Sequence, residues 1–90
     1  MLGQAIQDLK DTARQILTKN NVQGVMCIDK DGFSLVCLGT AKDKHAGYLS
    51  SIVGLSHKLG NSDSPVISID CEASNILLQE KDDIIIAIYK

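Results

Sequence analysis

The chain of 90 residues has no tryptophan and only three aromatic residues, Phe33, Tyr48 and Tyr89. Stacking platforms for single-stranded nucleic acid and aromatic cages for cations are therefore not expected. Proline occurs once and the apolar content is 44%, which excludes collagen-like and disordered classes. Neither sign of charge dominates: nine basic and eleven acidic residues give a formal net charge of −2. That balance leaves no electrostatic footprint for DNA, RNA or an anionic lipid surface. The chain has neither phosphate-cradling glycine loop, G-x-x-x-x-G-K-[ST] or G-x-G-x-x-G. No apolar run approaches the roughly 20 residues needed to cross a bilayer. Residues 1–17 are interrupted by Gln4, Gln7, Asp8, Lys10, Asp11 and Arg14, unlike a signal peptide. The second residue is Leu2 rather than glycine, so N-myristoylation is not expected either, and any membrane address is borrowed from a partner.

Three cysteines, Cys27, Cys37 and Cys71, form an odd set with no two within four residues. This is neither a disulfide framework nor zinc-ligand spacing, and they read as small core hydrophobes in a reducing compartment. His45 and His57 fall on different faces of one predicted helix, unlike an i, i+4 metal pair. A Cys37–His45 nucleophile pair would need a third orienting group and a pocket, for which so short a chain has little material. Asp29-Lys30-Asp31-Gly32 begins like a calcium loop but lacks the downstream ligands, and turn chemistry accounts for it. Glu80, Asp82 and Asp83 read as solvated turn charges. The composition is that of a non-enzyme with no cofactor and no metal.

What is present is a regular alternation of elements in one domain, residues 1–90. Apolar residues at Leu2, Ala5, Ile6, Leu9, Ala13, Ile16 and Leu17 predict a first helix over residues 2–17, ended by Asn20-Asn21. Residues 22–29 and 33–39 predict a hairpin turned by Lys30-Asp31-Gly32, with Asp-Gly supplying positive φ. Thr40 and Asp43 fit a capping box for a second helix over about residues 41–59, stopped by the polar run 60–65. Strands follow at 66–71, 75–80 and 84–89, with turns at 72–74 and 81–83. The order is α-β-β-α-β-β-β.

The last strand, Ile-Ile-Ile-Ala-Ile-Tyr, shows almost no alternation, so both of its faces are covered and it belongs in the sheet centre. Sheet order 2-1-5-4-3 satisfies that with short connections. It leaves the third strand, Val66, Ile67, Ser68, Ile69, Asp70 and Cys71, as an edge without a lysine. In the second helix Tyr48, Ile52, Leu55 and Leu59 form one stripe and Ala46, Leu49 and Val53 another. Together they are wider than one sheet contact requires. The remaining arc holds Gly47, Ser50, Ser51 and Gly54, small enough for another backbone to approach. A wide helix beside an unguarded edge predicts a dimerisation surface: the third strand with Gly47, Tyr48, Ser51, Ile52, Leu55 and Leu59.

The string G-V-x-C-x-D-x-x-G-x-x-L-x-C-x-G-T-x-x-x-x-H-A-G over residues 24–47, followed by Ser50 and Lys58-Leu59, resembles the hepatitis B X-interacting protein family. That family is the short roadblock-type subunit of the Ragulator (late endosomal/lysosomal adaptor) complex. The likeness covers residues 22–90, and the first helix matches in character alone. It implies an α/β (α+β) roadblock/longin-like fold, a five-stranded antiparallel sheet between helices. A third helix is not expected, which leaves a bare sheet face for another subunit. It also implies a heterodimer with a second short roadblock subunit, a lipid-anchored subunit that wraps both, and docking of Rag GTPases on the cytosolic face of the late endosome or lysosome for amino-acid-dependent TOR kinase recruitment. The alternatives are a self-pairing roadblock module serving another small GTPase or a motor complex, and a thiol-dependent redox protein.

Overall fold

The computed structural model describes residues 2–59, 66–70 and 74–90, with side chains from residue 6 onward. The elements are α1 (Leu2–Leu17), β1 (Gly24–Ile28), β2 (Ser34–Gly39), a 3-10 turn (Asp43–His45), α2 (Ala46–Lys58), β3 (Ile67–Asp70), β4 (Asn75–Lys81) and β5 (Ile84–Tyr89). The sheet is antiparallel in the order β2-β1-β5-β4-β3, as predicted.

α1 ends earlier than the two asparagines. The Thr18 hydroxyl donates to the Gln15 carbonyl at 2.6 Å and closes the last turn, and Asn21 then reverses the chain at φ +70°. The Lys30-Asp31-Gly32 turn forms, closed by the Asp29 amide donating to the Phe33 carbonyl at 2.9 Å, but Asp31 does not take the positive φ expected of it. The Asp29 carboxylate accepts from the amides of Asp31 and Phe33, both at 2.9 Å, and only Gly32 is left-handed, at φ +88°. The register shifts beside it, at a bulge at Cys27/Ile28. Paired positive φ angles lie elsewhere: Asp82 and Asp83, at φ +53° and +66°, join β4 to β5 as a two-residue loop of type I′ geometry.

The start of the second helix is also corrected. The Thr40 amide donates to the Gln23 carbonyl at 3.0 Å and the Ala41 amide to Leu38 at 3.3 Å, so these residues still belong to the end of the sheet. Helical structure begins only at Asp43, preceded by Lys42 without a side-chain cap bond. The Thr40–Asp43 capping box does not form.

Alternation along the strands divides the core into two layers. On one side Met26, Ile28, Ile76, Leu78, Ile85, Ala87 and Tyr89 pack with Ala46, Leu49 and Val53 of α2. On the other, Val25, Cys27 and Val36 pack with Ala13 of α1, flanked by Leu9, Ile16, Ile84 and Ile86. α1 lies over β1 and β2. Leu77 and Ile88, paired across β4 and β5, stay half-buried beside it.

Gly39 illustrates how tightly the sheet end is closed. Its φ is +63° and a Cβ there would run directly onto the Gln23 carbonyl oxygen. Gly39→Ala is expected to lower stability by about 2–3 kcal/mol, from left-handed strain plus the displaced backbone. Urea unfolding checks this: the midpoint falls with the slope unchanged.

Candidate partner-docking surface

Two hydrogen bonds set the parity of the whole β4 ladder. The Asn75 amide donates to the Lys90 carbonyl at 3.1 Å and the Lys90 amide to Asn75 at 2.8 Å. Asn75, Leu77 and Gln79 therefore bond towards β5, while Ile76 and Leu78 bond towards β3. Their partners Ile69 and Ile67 are used internally. The outward backbone donors and acceptors are those of Val66, Ser68 and Asp70. The side chains follow the opposite division. Ile67 and Ile69 lie half-buried against the α2 layer. Ser68 and Asp70 project from the other face, where the Asn75 side-chain amide donates to the Ser68 hydroxyl at 3.2 Å and to the Asp70 carboxylate. Cys71 lies outside the described residues.

α2 resolves its two predicted stripes into distinct roles. Ala46, Leu49 and Val53 are buried, and Ile52 packs at the margin of the same cluster. Tyr48, Leu55 and Leu59 are 63%, 59% and 80% exposed, and Val66 is 60% exposed. Gly32 of the β1–β2 loop abuts Gly47 and Ser50. The flank carrying Tyr48, Ile52, Leu55 and Leu59 is consequently the one turned towards β3. Gly47, Ser51 and Gly54 crown the helix, with the Ser51 hydroxyl donating to the Gly47 carbonyl at 3.0 Å. A Cβ at Gly47 or Gly54 would meet no atom within 4 Å. Among the described residues nothing requires glycine at either position.

Both ends of α2 are clipped to the sheet, a feature the sequence reading missed. His45 Nδ1 lies 2.9 Å from the Tyr89 hydroxyl with the rings stacked, and His57 Nε2 lies 2.5 Å from Glu80 Oε1. Glu80 is thus an ion-pair partner for a protonated His57, rather than the solvated turn charge expected. The histidines' places in the first and last turns of the helix were the available signal.

The environments of the two described thiols, Cys27 and Cys37, disfavour the thiolate. Burial pushes the Cys27 thiol above its usual range. Burial, and then the Asp43 carboxylate beside it, push Cys37 up as well, while its Sγ donates to the Ala41 carbonyl at 3.2 Å. His45 is committed to Tyr89, so the Cys37–His45 pairing does not form. Among the described residues no group of three or more His, Cys, Asp or Glu could hold a metal ion. None of their helices is long and apolar enough to cross a membrane.

Comparison with known proteins points in one direction. A family described as Ragulator complex protein LAMTOR5 matches residues 6–90. The chain is 33% identical over 86 residues to Ragulator complex protein LAMTOR5 of Xenopus tropicalis, covering 93% of this chain and 90% of that protein. It is 31% identical to the LAMTOR5 homolog of Nematostella vectensis, with 93% and 94% covered. By structure it is similar to Myxococcus xanthus MglB at a TM-score of 0.77 and 13% identity, over 93% of this chain and 70% of that one. The roadblock/LC7 domain from Streptomyces avermitilis also scores 0.77, at 11% identity over 89% and 75%. At those identities the two structures establish the fold, which is that of roadblock/LC7 domains.

Two outcomes follow from the geometry of this surface. Gly54→Ala is expected to stabilise the isolated chain by up to about 1 kcal/mol, the helix-propensity difference, while weakening association with any partner seated on α2. Thermal denaturation and a binding assay on the same protein separate the two effects. In the folded chain at neutral pH, Cys27 is expected to react with a thiol reagent more slowly than free cysteine and to reach the free rate on unfolding. Mass spectrometry of the labelled sites checks it.

Proposed function

The chain belongs to the family of Ragulator complex protein LAMTOR5, and from that premise we propose that it is a non-catalytic scaffold subunit. In this reading its single roadblock-type domain, residues 1–90, forms a heterodimer with a second short roadblock subunit. The contact is made by Val66, Ile67, Ser68, Ile69, Asp70 and Cys71 together with Gly47, Tyr48, Ser51, Ile52, Leu55 and Leu59. A lipid-anchored subunit holds the dimer on the cytosolic face of the late endosome or lysosome and covers the strip around Leu77 and Ile88. The assembly then docks Rag GTPases for amino-acid-dependent TOR kinase activation.

One observation carries the reading. An edge strand with outward, unguarded amides lies beside a helix flank that exposes Tyr48, Leu55 and Leu59. Edge-to-edge pairing extends the backbone ladder into the partner, and the helix flank supplies apolar area at about 25 cal/mol per Å² buried. Full burial of each such large side chain contributes roughly 1.5–3 kcal/mol before the cost of association is subtracted.

The test follows from the parity of β3. Ser68→Pro removes an outward donor without touching the ladder to β4, and Leu55→Glu alters only an exposed position. Both variants are expected to fold, judged by circular dichroism, and to lose co-purification of the second roadblock subunit from cells. Recovery of that subunit at the wild-type level by both would overturn the assignment. A tight homodimer of the purified chain in sedimentation, with no second subunit needed, would favour the self-pairing alternative.

A further inference from the structure

This inference rests on the reading of β3 and α2 as the partner face. A two-fold axis that joins two sheets edge to edge stands perpendicular to them and reverses every in-plane direction. The α2 helices of the two protomers then run antiparallel. Three observations agree on where they cross. The smallest side chains on the exposed crown are Gly47, Ser51 and Gly54, so the closest approach centres on Ser51. The two clips tie His45 to Tyr89, which is level with Ile76, and His57 to Glu80. Ser51 is midway between the histidines, and Leu78, midway between Ile76 and Glu80, pairs with Ile67. The outward backbone groups of β3 at Val66 and Ser68 flank that same residue. An antiparallel edge pairing centred on Ile67 joins Val66 of each protomer to Ser68 of the other.

With the crossing at Ser51, Lys58 in the last turn of one α2 lies opposite the 3-10 turn that leads into the other, which carries Lys44. Both lysines are exposed, and Lys58 continues the α2 row of Gly47, Ser51 and Leu55. The segment Ala46–Lys58 contains no carboxylate. Among the described residues the acids nearby are engaged elsewhere: Asp43 sits against Cys37, Glu80 holds His57, and Asp70 projects from the opposite sheet face towards Asn75. Two copies of this chain would bring Lys44 against Lys58 twice. We propose that Lys44 and Lys58 are the selectivity residues of this face: they disfavour a second copy of the chain and favour a roadblock-type partner whose second helix carries carboxylates opposite them. The apolar centre supplies attraction to either, and the two lysines choose between them.

Sedimentation of the full chain, with no partner present, tests the proposal. Wild type is expected to self-associate weakly in about 0.01 M sodium chloride and more strongly in about 1 M, where the Debye length falls from roughly 30 Å to 3 Å. Lys58→Glu converts two repulsions into two attractions, and should self-associate roughly tenfold more tightly than wild type at low salt, with the salt dependence inverted. The double variant Lys44→Glu/Lys58→Glu restores repulsion and should return to wild-type behaviour. Adding Leu55→Glu to Lys58→Glu should abolish the new dimer. A wild-type chain that dimerises more tightly at low salt, or a Lys58→Glu variant indistinguishable from it, overturns the selectivity proposal. Survival of the Lys58→Glu dimer in the presence of Leu55→Glu overturns the face itself.

Discussion

The insertion of β5 between β1 and β4 is the interaction on which the rest of the structure depends. It is hydrogen-bonded on one side to β4, its neighbour in the chain, and on the other to β1, some sixty residues earlier, and so joins the β1–β2 hairpin to the β3–β4 pair. Its side chains feed both layers: Ile85, Ala87 and Tyr89 enter the α2 layer, and Ile84 and Ile86 enter the α1 layer. Tyr89 also receives the His45 clip that places the start of α2. Without β5 there would be two unconnected ladders and neither helix would have a complete floor.

Placing β5 at the centre pushes β2 and β3 to the edges, and their fates differ. On the β2 side the loop at Gly32 touches the crown of α2, and the end of the strand is closed by the Thr40–Gln23 bond. On the β3 side nothing of the chain lies beyond Ser68 among the described residues. α2 is therefore finished on one flank and open on the other. The same division explains its two apolar stripes: Ala46, Leu49 and Val53 complete the monomer, whereas Tyr48, Leu55 and Leu59 are left over. A helix serving one sheet needs only a narrow stripe, so the surplus belongs to an assembly larger than one chain.

Much of this was legible in the sequence because it depends on periodicity. The unbroken apolar run of β5 foretold its central place, and from that came the sheet order. What was misjudged depends on who takes each backbone hydrogen bond. Thr40 and Asp43 have the spacing of a capping box, but the Thr40 amide is already spent on Gln23, so helical structure starts at Asp43 instead of residue 41. Lys30-Asp31-Gly32 makes the expected turn, but the Asp29 carboxylate accepts from the amides of Asp31 and Phe33, and Gly32 alone of the Asp-Gly pair takes positive φ. Paired positive φ fell instead to Asp82-Asp83, a pair without glycine. The outward parity of Ser68 was equally invisible, since it is set by the Asn75–Lys90 pair at the other side of β4. The histidine clips escaped notice because each joins residues far apart in sequence.

The central strand also has a consequence for synthesis. β5 follows the other four strands in chain order, so during translation each of them waits for residues 84–89 before the sheet can close. Among the described residues β3 pairs with β4 alone, and β4 joins the rest of the sheet through β5, which makes this edge the end of a dependency chain that begins at β5. A nascent chain halted before β5 would present α2 without its floor and β3 without its register. The β3 edge therefore takes its register last, once the chain has been made through to β5.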